Sequence, residues 1–298
     1  MALVRAEPLD GRPLPALSGP GPHRCETLTA WRGRRFEMPP SDPILQSLHA
    51  GGAARHPAQD NLVGARQAWE DTPQWMDQLD PLSPVFADKQ MERDLYLAQW
   101  SKYLKPAARV LDVGGGVGRF AQWLLAQDCT VELVDPDLRS LWTAVDRLSG
   151  GRGALDVHWS TATALGDIAP VDCALAVELL CYVADPVAVL EAIRKTLRPG
   201  GRLLLSVEAT SGAGDVDAQG VVHVPGDRWV QTYSEASLRA LLSDWEILDL
   251  QPSHYVLSGP LQAQAEGLDF EGIAALEQQA KADPQMRASH RAWMAVVE

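Results

Sequence analysis

A glycine-rich bend within residues 110–120 constrains the fold of this chain more than any other stretch. Apolar residues surround Asp112 as in a strand that is buried on both faces. From Asp112 to Gly118 the pattern is D-x-G-x-G-x-G, and apolar residues then recur at helical spacing. Glycine tolerates positive φ and lets a ligand approach the backbone closely. The stretch therefore predicts a buried strand, a ligand-binding turn and a helix.

The spacing of this bend differs from the dinucleotide-binding pattern G-x-G-x-x-G, whose helix N-terminus holds a pyrophosphate. Here the third glycine comes one residue early, and the Asp112 carboxylate lies two residues before Gly114. A phosphate about 4 Å from that carboxylate would be opposed by roughly 4 kcal/mol at an effective dielectric constant near 20. The bend therefore favours a ligand with an ammonium group and argues against a nicotinamide-dependent oxidoreductase.

A second acidic residue, Asp135, ends the next apolar stretch, 23 residues after Asp112. A carboxylate at the end of a second strand can accept two hydrogen bonds from a ribose diol. Asp135 can equally serve as a turn residue or as the N-cap of the helix that follows. The order and separation of the two acids together favour a nucleoside-binding role.

The two motifs resemble those of the class I S-adenosylmethionine-dependent methyltransferases, a superfamily with a Rossmann-like fold. The resemblance implies that the glycine bend holds the methionine part of S-adenosylmethionine and that Asp135 binds the ribose. It implies the following cofactor-binding residues: Asp112, Gly114, Gly115, Gly116, Asp135, Pro136, Thr161, Ala162 and Glu178.

Thr161 and Ala162 follow the third predicted strand, where the resembled family usually contacts adenine through a side-chain acceptor and a backbone amide. The aspartate that is common there is missing from this chain, so the Thr161 hydroxyl or the backbone would serve instead. A threonine after a strand is just as typical of a turn or a helix cap. Both interpretations of Thr161 stay open.

Glu178 is the residue most indicative of chemistry outside the two motifs. It ends an apolar run at the fourth predicted strand, and a buried acid is costly unless it is paired. The resemblance implies a position near the methionine end and the methyl group. Tyr182 lies one helical turn further on and either points at the acceptor or packs in the core. His223 is a candidate general base, as are Tyr233 and His254, although a lone histidine is more often structural.

The alternation of strands and helices predicts an α/β fold of the doubly wound type. The resemblance implies a Rossmann-like, seven-stranded, mostly parallel sheet with helices on both faces. It also implies that the last strand is antiparallel and enters between the fifth and sixth strands. The predicted strands are 109–113, 130–135, 155–160, 171–177, 203–207, 245–250 and 292–297, and the predicted helices between them are 117–127, 137–148, 186–197 and 235–242.

Three regions are predicted along the chain. Residues 1–59 are rich in proline and glycine, which predicts loop with a short strand within 29–38, partly disordered or lying over the core. Residues 60–105 are predicted as a helical cap over the cofactor, with helices at 63–69 and 91–103. The candidate roof aromatics of this cap, which can also be ordinary helix-packing residues, are Trp69, Trp75, Phe86, Tyr96 and Trp100.

Residues 106–298 are predicted as the methyltransferase core, with inserts at 209–231 and 258–289. The first insert is polar and long, as expected of a substrate cover at the carboxyl edge of a parallel sheet. The second insert carries a helix at 272–282, which either lines the acceptor pocket or builds a homodimer face.

Composition narrows the function classes. The net charge of −13 argues against a nucleic-acid partner, since phosphate binding needs a basic face. No apolar run approaches the 18 residues of a membrane span, and residues 1–11 lack the apolar stretch of a secretory signal. The four cysteines are scattered, so we expect reduced thiols in a cytoplasmic protein and no metal site.

The predicted activity is transfer of a methyl group from S-adenosylmethionine to an oxygen, nitrogen or carbon atom of a small molecule, with natural-product biosynthesis as its setting. Positive charge is lost in that transition state, so alignment and exclusion of water matter most, worth about 7–11 kcal/mol where well achieved. Two alternatives stay open: a non-methylating reaction that uses the same cofactor, and a non-catalytic partner subunit.

Overall fold

The computed structural model describes most of the chain from residue 78 onward. The described ranges are 78–83, 85–148, 152–166, 168–213, 215–224, 228–257, 261–265, 267–286 and 289–298. The predicted loop at 1–59, the strand within 29–38, the helix at 63–69 and the aromatics Trp69 and Trp75 lie outside the described residues.

A seven-stranded sheet with a single reversed strand organises the described residues. Its order is β3-β2-β1-β4-β5-β9-β8, and β9 runs antiparallel to both of its neighbours. The other two strands, β6 and β7, form a separate hairpin. In chain order the strands are β1 (Arg109–Val113), β2 (Thr130–Asp135), β3 (Ala154–Trp159), β4 (Val171–Val177), β5 (Leu197–Glu208), β6 (Val221–Val224), β7 (Arg228–Gln231), β8 (Ile247–Ser253) and β9 (Ala292–Val297). The predicted fold class is confirmed.

Helices cover both faces of the sheet, because successive strand residues point to opposite sides. Val110 packs into the core cluster beneath α1, α2 and α3, while Leu111 packs into the cluster beneath α4 and α5. Leu204 and Leu205 divide between the two clusters in the same way. The helices are α1 (Phe86–Trp100), α2 (Arg119–Ala126), α3 (Leu138–Leu148), α4 (Pro186–Thr196), α5 (Glu235–Leu241), α6 (Gln262–Ala265) and α7 (Phe270–Ala282).

Local capping explains where three of these helices begin. The Asp185 side chain accepts a hydrogen bond from the Ala188 amide at the start of α4, with proline at the first helical position. Ser234 forms a capping box at the start of α5, and Asp269 caps α7. Helix α2 has no side-chain cap, since its N-cap residue is Gly118 at φ +84°. The Ala121 amide in its first turn instead hydrogen-bonds to the Asp112 carboxylate.

Strand β3 is shifted by one residue from its predicted position, and two strands, β5 and β8, differ from the prediction by more than one residue. The predicted β5 begins at residue 203, but the strand starts at Leu197, because the turn at 198–202 stays in an irregular ladder with β4. The predicted sixth strand, 245–250, is shifted to Ile247–Ser253. Trp245 lies before the strand in a turn, where its amide donates to Leu242 O and its side chain is buried. Pro252 is tolerated in this strand since β8 lies at the edge of the sheet.

Both predicted inserts contain ordered structure. The first carries the β6–β7 hairpin, whose Gln231 amide donates to Cys181 O (2.8 Å) and so ties the hairpin to the loop after β4. The second carries α6 and α7, and Glu277 of α7 accepts hydrogen bonds from the Tyr255 and Val256 amides. None of the helices in the described ranges is long and apolar enough to cross a membrane.

Candidate active site

The glycine bend after β1 forms an open backbone cradle at the carboxyl edge of the sheet. The Gly114 amide donates to Val134 O (2.8 Å), which fixes the start of the bend against β2. Gly116 adopts φ +55°, and no atom lies within 4 Å of the position that a Cβ would take. Its amide donates to Asp135 Oδ2 (2.9 Å). The bend therefore offers space for a ligand directly against the main chain.

Asp112 lies buried beneath this bend with one carboxylate oxygen unsatisfied. Oδ2 has no hydrogen-bond partner among the described residues. Burial raises the pKa of Asp112 to about 7, although the Arg119 charge and the Ala121 amide both lower it. A buried acceptor without a donor is costly unless a ligand supplies one. The residues present therefore fit a ligand that carries a hydrogen-bonding cation, such as the ammonium group of a methionine moiety.

Asp135 faces the same bend from the end of β2. Its oxygens accept hydrogen bonds from the Gly116 amide and, at 2.8 Å, from the Asp137 amide. Its pKa is raised to about 7, chiefly by burial and in part by the Asp137 charge, while the Asp137 and Gly116 amides lower it. The N-cap of α3 is Asp137, which accepts from the Ser140 amide (3.0 Å). A carboxylate has about four acceptor positions, so Asp135 retains capacity for a diol.

The predicted adenine-contacting residues lie beside Asp135. The Ser160 amide donates to Asp135 O (3.3 Å), and Thr161 and Ala162 follow directly. The Thr161 and Thr163 hydroxyls are 3.3 Å apart, and Ala162 packs against the core. Pro136 O accepts from Trp159 Nε1 (3.0 Å). These residues thus flank the end of β2, and their contact with a cofactor stays a prediction.

Glu178 lies directly after β4 in a left-handed conformation, with φ +55°. Its amide donates to Ser206 O (3.0 Å), and its Oε1 accepts from the Tyr96 hydroxyl (3.1 Å). Burial raises the pKa of the Glu178 carboxyl, the Glu92 charge raises it further, and the Arg119 charge lowers it. Glu178 is therefore a carboxyl group that gains a proton more readily than an exposed glutamate.

A buried ion pair joins helix α1 to the glycine bend. The Arg119 guanidinium at the start of α2 pairs with Glu92 and donates to Lys89 O (3.3 Å). Lys89 Nζ lies 2.7 Å from Glu92 Oε2. Burial raises the pKa of Glu92, but the Arg119 and Lys89 charges outweigh it and hold the pKa far below its usual value. Glu92 thus stays ionised and fastens α1 over the crevice.

A second carboxyl group, that of Glu208, ends β5 beside Glu178. Its Oε1 lies 3.4 Å from Arg291 Nη2, and its amide donates to Cys181 Sγ (3.0 Å). Burial raises the pKa of Glu208 to about 7, and the Glu178 charge contributes to the rise. The ends of β4 and β5 therefore carry two interacting acids, with only one arginine in direct contact among the described residues.

The other predicted acid–base residues lie in different surroundings. Tyr182 is exposed in the loop after Glu178. His223 lies on the β6–β7 hairpin with its side chain 73% exposed, and its Nε2 is 3.2 Å from Asp217 Oδ2. No described contact joins His223 to Glu178. Its role as a general base, like that of Tyr182, stays a prediction.

Tyr233 and His254 are both buried. The Tyr233 hydroxyl donates its proton to Leu180 O (3.1 Å), a structural hydrogen bond to the loop after β4. His254 Nε2 lies 3.3 Å from Glu92 O, and burial lowers its pKa to about 4, so the ring is neutral at pH 7. The His254 ring centroid is 4.2 Å from that of Tyr96.

The sequence patterns do not predict most of the residues that surround Glu178. Tyr96 was predicted only as a roof aromatic, and the unpredicted residues are Glu92, Arg119, Glu208 and Arg291. Two signals were present in the sequence. Glu92 and Tyr96 are four residues apart on one helix face. Glu208 ends an apolar run at the fifth strand just as Glu178 does at the fourth, and neighbouring parallel strands end at the same edge.

A family described as "Methyltransferase domain" matches residues 86–246, which is more than half of the chain. Among curated proteins, the ubiquinone biosynthesis O-methyltransferase of Xylella fastidiosa (strain M23) is 33% identical over 139 residues. That alignment includes 44% of this chain and 53% of the relative. The chain therefore spans about half the length of the curated relatives it matches.

Solved structures share the fold. The 1,6-didemethyltoxoflavin-N1-methyltransferase of Burkholderia thailandensis, with bound 1,6-didemethyltoxoflavin and S-adenosylhomocysteine, has a TM-score of 0.52 at 20% identity, covering 83% of this chain and 91% of that chain. The [4+2]-cyclase SpnF has a TM-score of 0.50 at 21% identity, and the match covers 70% of this chain and 80% of that chain. These likenesses establish the fold alone, which serves a cyclase as well as a methyltransferase.

Proposed function

This chain belongs to the methyltransferase domain family, its methyl donor is S-adenosylmethionine, and we propose that it methylates a hydroxyl oxygen of a small molecule. The observation that carries the choice of oxygen is the Glu178 carboxyl, a proton acceptor at the end of β4 beside the glycine bend. The O-methyltransferase relatives, 33% identical over about half their length, support the same choice.

The donor side of the proposed site uses the backbone cradle and two acids. When bound, S-adenosylmethionine supplies an electrophilic methyl group on a sulfonium centre. Gly114, Gly115 and Gly116 would line its methionine part, and the unsatisfied Asp112 oxygen would receive the ammonium group. Asp135 would accept the ribose hydroxyls. Pro136, Thr161 and Ala162 would contact adenine from the ends of β2 and β3.

On the acceptor side, Glu178 takes the hydroxyl proton at Oε2. Among the described residues the Tyr96 hydroxyl is the only hydrogen-bond donor to this carboxyl, and it occupies Oε1. The hydroxyl oxygen would bond to the methyl carbon as that carbon leaves the donor's sulfur, and Glu178 would hold the released proton. A positioned base of this kind contributes about 10²–10⁴ in rate. Tyr182, exposed in the same loop, would contact the acceptor.

Two contacts support exclusion of water from the reaction. The Arg119–Glu92 pair fastens α1 over the bend, and the Gln231–Cys181 hydrogen bond holds the hairpin over the loop that carries Glu178. Because the sulfonium charge disappears in the transition state, a dry site favours reaction over the charged ground state. Natural-product biosynthesis as the setting, the cytoplasmic location, and a homodimer face at 258–289 stay predictions.

The test is incubation of the purified chain with S-adenosylmethionine and panels of small phenols, alcohols and amines, followed by mass spectrometry. The expected products are a methylated hydroxyl compound and S-adenosylhomocysteine. Glu178→Gln should lower that turnover by about 10²–10⁴ and leave S-adenosylhomocysteine affinity within about threefold. Methylation of amines alone would contradict the oxygen assignment. An altered product without a methyl gain indicates a non-methylating reaction, and no donor binding indicates a partner subunit.

A further inference from the structure

Among the described residues, Tyr96 of α1 is the one side chain that hydrogen-bonds to the Glu178 carboxyl. It is fully buried, and its ring is fixed on several sides. It stacks on Trp100 with centroids 4.9 Å apart and an interplanar angle of 16°, and it lies 5.9 Å from Phe120 and 4.2 Å from His254. In this fixed position the Tyr96 hydroxyl donates to Glu178 Oε1 (3.1 Å), and the Ser206 side chain hydrogen-bonds to the same phenol.

The Glu178 side chain has little else to orient it. Its backbone is fixed, because the amide donates to Ser206 O and lies 3.1 Å from Ser206 Oγ. Its carboxyl group, however, receives a hydrogen bond only from Tyr96 within the described part of the chain. The orientation of that carboxyl and the choice of the oxygen left for a substrate therefore depend on one phenol.

We propose that Tyr96 is a positioning residue, which holds Glu178 through Oε1, keeps the carboxyl ionised, and leaves Oε2 as the oxygen that receives the acceptor proton. This inference rests on the proposed role of Glu178. Tyr96 does not itself give up a proton, because burial and the Glu178 charge raise the pKa of its phenol well above the ordinary value. It acts as a neutral donor, and a donor to the charged form lowers the pKa of an acid.

Other charges act on Glu178 and set the background for this effect. Burial and the Glu92 charge favour its protonated form, while the Arg119, Lys89 and Arg291 charges favour its ionised form. The titratable or charged groups that face it are Lys89, Glu92 and Tyr96 from α1, Arg119 from α2, Cys181 and Tyr182 from its own loop, Glu208 from β5, and Arg291 before β9. Removal of the Tyr96 hydroxyl alone leaves all the others in place.

The test is a pH titration of the Glu178 carboxyl by NMR of protein carrying ¹³C at the glutamate carboxyl carbon. The Glu178 signal is assigned by its loss in Glu178→Gln. In Tyr96→Phe the ring packing stays and the donor is lost, so the titration midpoint of Glu178 should rise by about one pH unit. An unchanged or lower midpoint would overturn the proposal.

Tyr103→Phe is the matched control. Its hydroxyl also donates to a carboxylate, Asp249 Oδ2 (3.3 Å), away from the crevice. The same chemical change there should leave the Glu178 midpoint unmoved.

If Tyr96→Phe does not fold, 3-fluorotyrosine at position 96 tests the opposite direction. Its more acidic hydroxyl is a stronger donor, so the midpoint should fall, and a rise or no shift would contradict the proposal.

The titration needs no acceptor molecule, which separates the two proposals. If the Glu178 titration midpoint changes on substitution at position 96, the positioning role is supported. If Glu178→Gln then retains full turnover, the proposed function fails, but the coupling between Tyr96 and Glu178 does not. Conversely, a loss of turnover in Glu178→Gln with an unresponsive midpoint removes Tyr96 from the mechanism and retains Glu178.

Discussion

The two ends of the proposed site are built in different ways. The proposed donor end consists of the glycine bend and two acids, and a hydrogen bond there joins Gly116 and Asp135, 19 residues apart. The acceptor end joins Tyr96 to Glu178 across 82 residues and Glu208 to Arg291 across 83. The donor end is thus a local backbone structure, whereas the acceptor end is assembled from side chains of distant elements. A local backbone site suits a constant cofactor, and an assembled one suits a variable substrate.

Both ends contain a carboxyl group that the described residues do not fully satisfy. Within that part of the chain, Asp112 Oδ2 receives no hydrogen bond, and the Glu178 carboxyl receives one, from the neutral Tyr96 hydroxyl. Outside these two ends, the buried acid Glu277 accepts hydrogen bonds from the Tyr255 and Val256 amides. An acid that is removed from water without enough donors lowers stability, so the presence of such acids at both ends is consistent with a function that requires them.

The largest expected effect tests the donor end. Asp135→Ala removes both acceptors for the ribose, so affinity for S-adenosylhomocysteine should fall by about 100- to 1000-fold, or about 3–4 kcal/mol. Calorimetric titration measures this, and circular dichroism checks that the fold persists. Asp146→Ala, an exposed aspartate of α3, is the control and should bind normally. Equal affinity in Asp135→Ala would remove this residue from the cofactor site.

Two glycines of the bend should respond differently. Gly118→Ala places a Cβ 2.5 Å from Leu148 Cδ1 at φ +84°, so the free energy of unfolding should drop by about 2–3 kcal/mol. Gly116→Ala meets no neighbour within 4 Å, so the positive φ alone should cost about 1 kcal/mol. The affinity of Gly116→Ala for S-adenosylhomocysteine should instead fall by about tenfold, because the alanine Cβ occupies the cradle. Denaturant unfolding and calorimetry measure the two quantities, and the reverse pattern would contradict the cradle.

Asp112→Asn should stabilise the protein at pH 8 by about 2 kcal/mol and weaken donor binding. Between its unfolded pKa of 3.8 and its folded pKa of about 7, the folded state keeps a proton that the unfolded state releases. Wild-type stability therefore falls as the pH rises through this window, whereas asparagine does not titrate. The advantage of Asp112→Asn should be largest above pH 7 and vanish near pH 4.

Asp172→Asn is the control of opposite sign. The Arg109 amide holds the pKa of Asp172 below its usual value, with burial opposing and Arg198 assisting. Loss of the Asp172 carboxylate in Asp172→Asn should destabilise the protein at neutral pH. Stabilisation by both asparagine variants in denaturant unfolding would show that the effect is not specific to the crevice.

The smallest effect is expected at His223. Its side chain is exposed and paired with Asp217 on the hairpin, so His223→Ala should change stability by less than about 0.5 kcal/mol and turnover by less than about twofold. A large loss of turnover would mean that the hairpin closes onto the acceptor and would move the general base from Glu178 to His223.

The sequence predicted the sheet well because its signals are local. Apolar runs bounded by glycine, proline and aspartate define β1, β2, β4 and β9 within one residue or none. The start of β5 was missed, because the Arg198–Arg202 turn has helix-stop composition and joins the strand only through pairing with β4. Strand pairing is a tertiary contact, which residue patterns along the chain do not contain.

The candidate site divides in the same way. The glycine bend and Asp135 were recognisable because three glycines and two acids stand at fixed spacing in a short stretch. The partnership of Tyr96 with Glu178, and of Arg119 with Glu92, depends on where α1 packs, which no local pattern specifies. Glu178 is recognisable from its place after a strand, but its hydrogen bond with Tyr96 is not.

A structure of the protein with bound S-adenosylhomocysteine would show whether the glycine bend is the donor site. We expect the ribose hydroxyls within hydrogen-bond distance of Asp135, the ammonium group near Asp112 Oδ2, and the sulfur directed toward Glu178. A ligand bound away from the Gly114–Gly116 bend, or a bend filled by side chains so that no nucleoside enters it, would refute the proposed donor site.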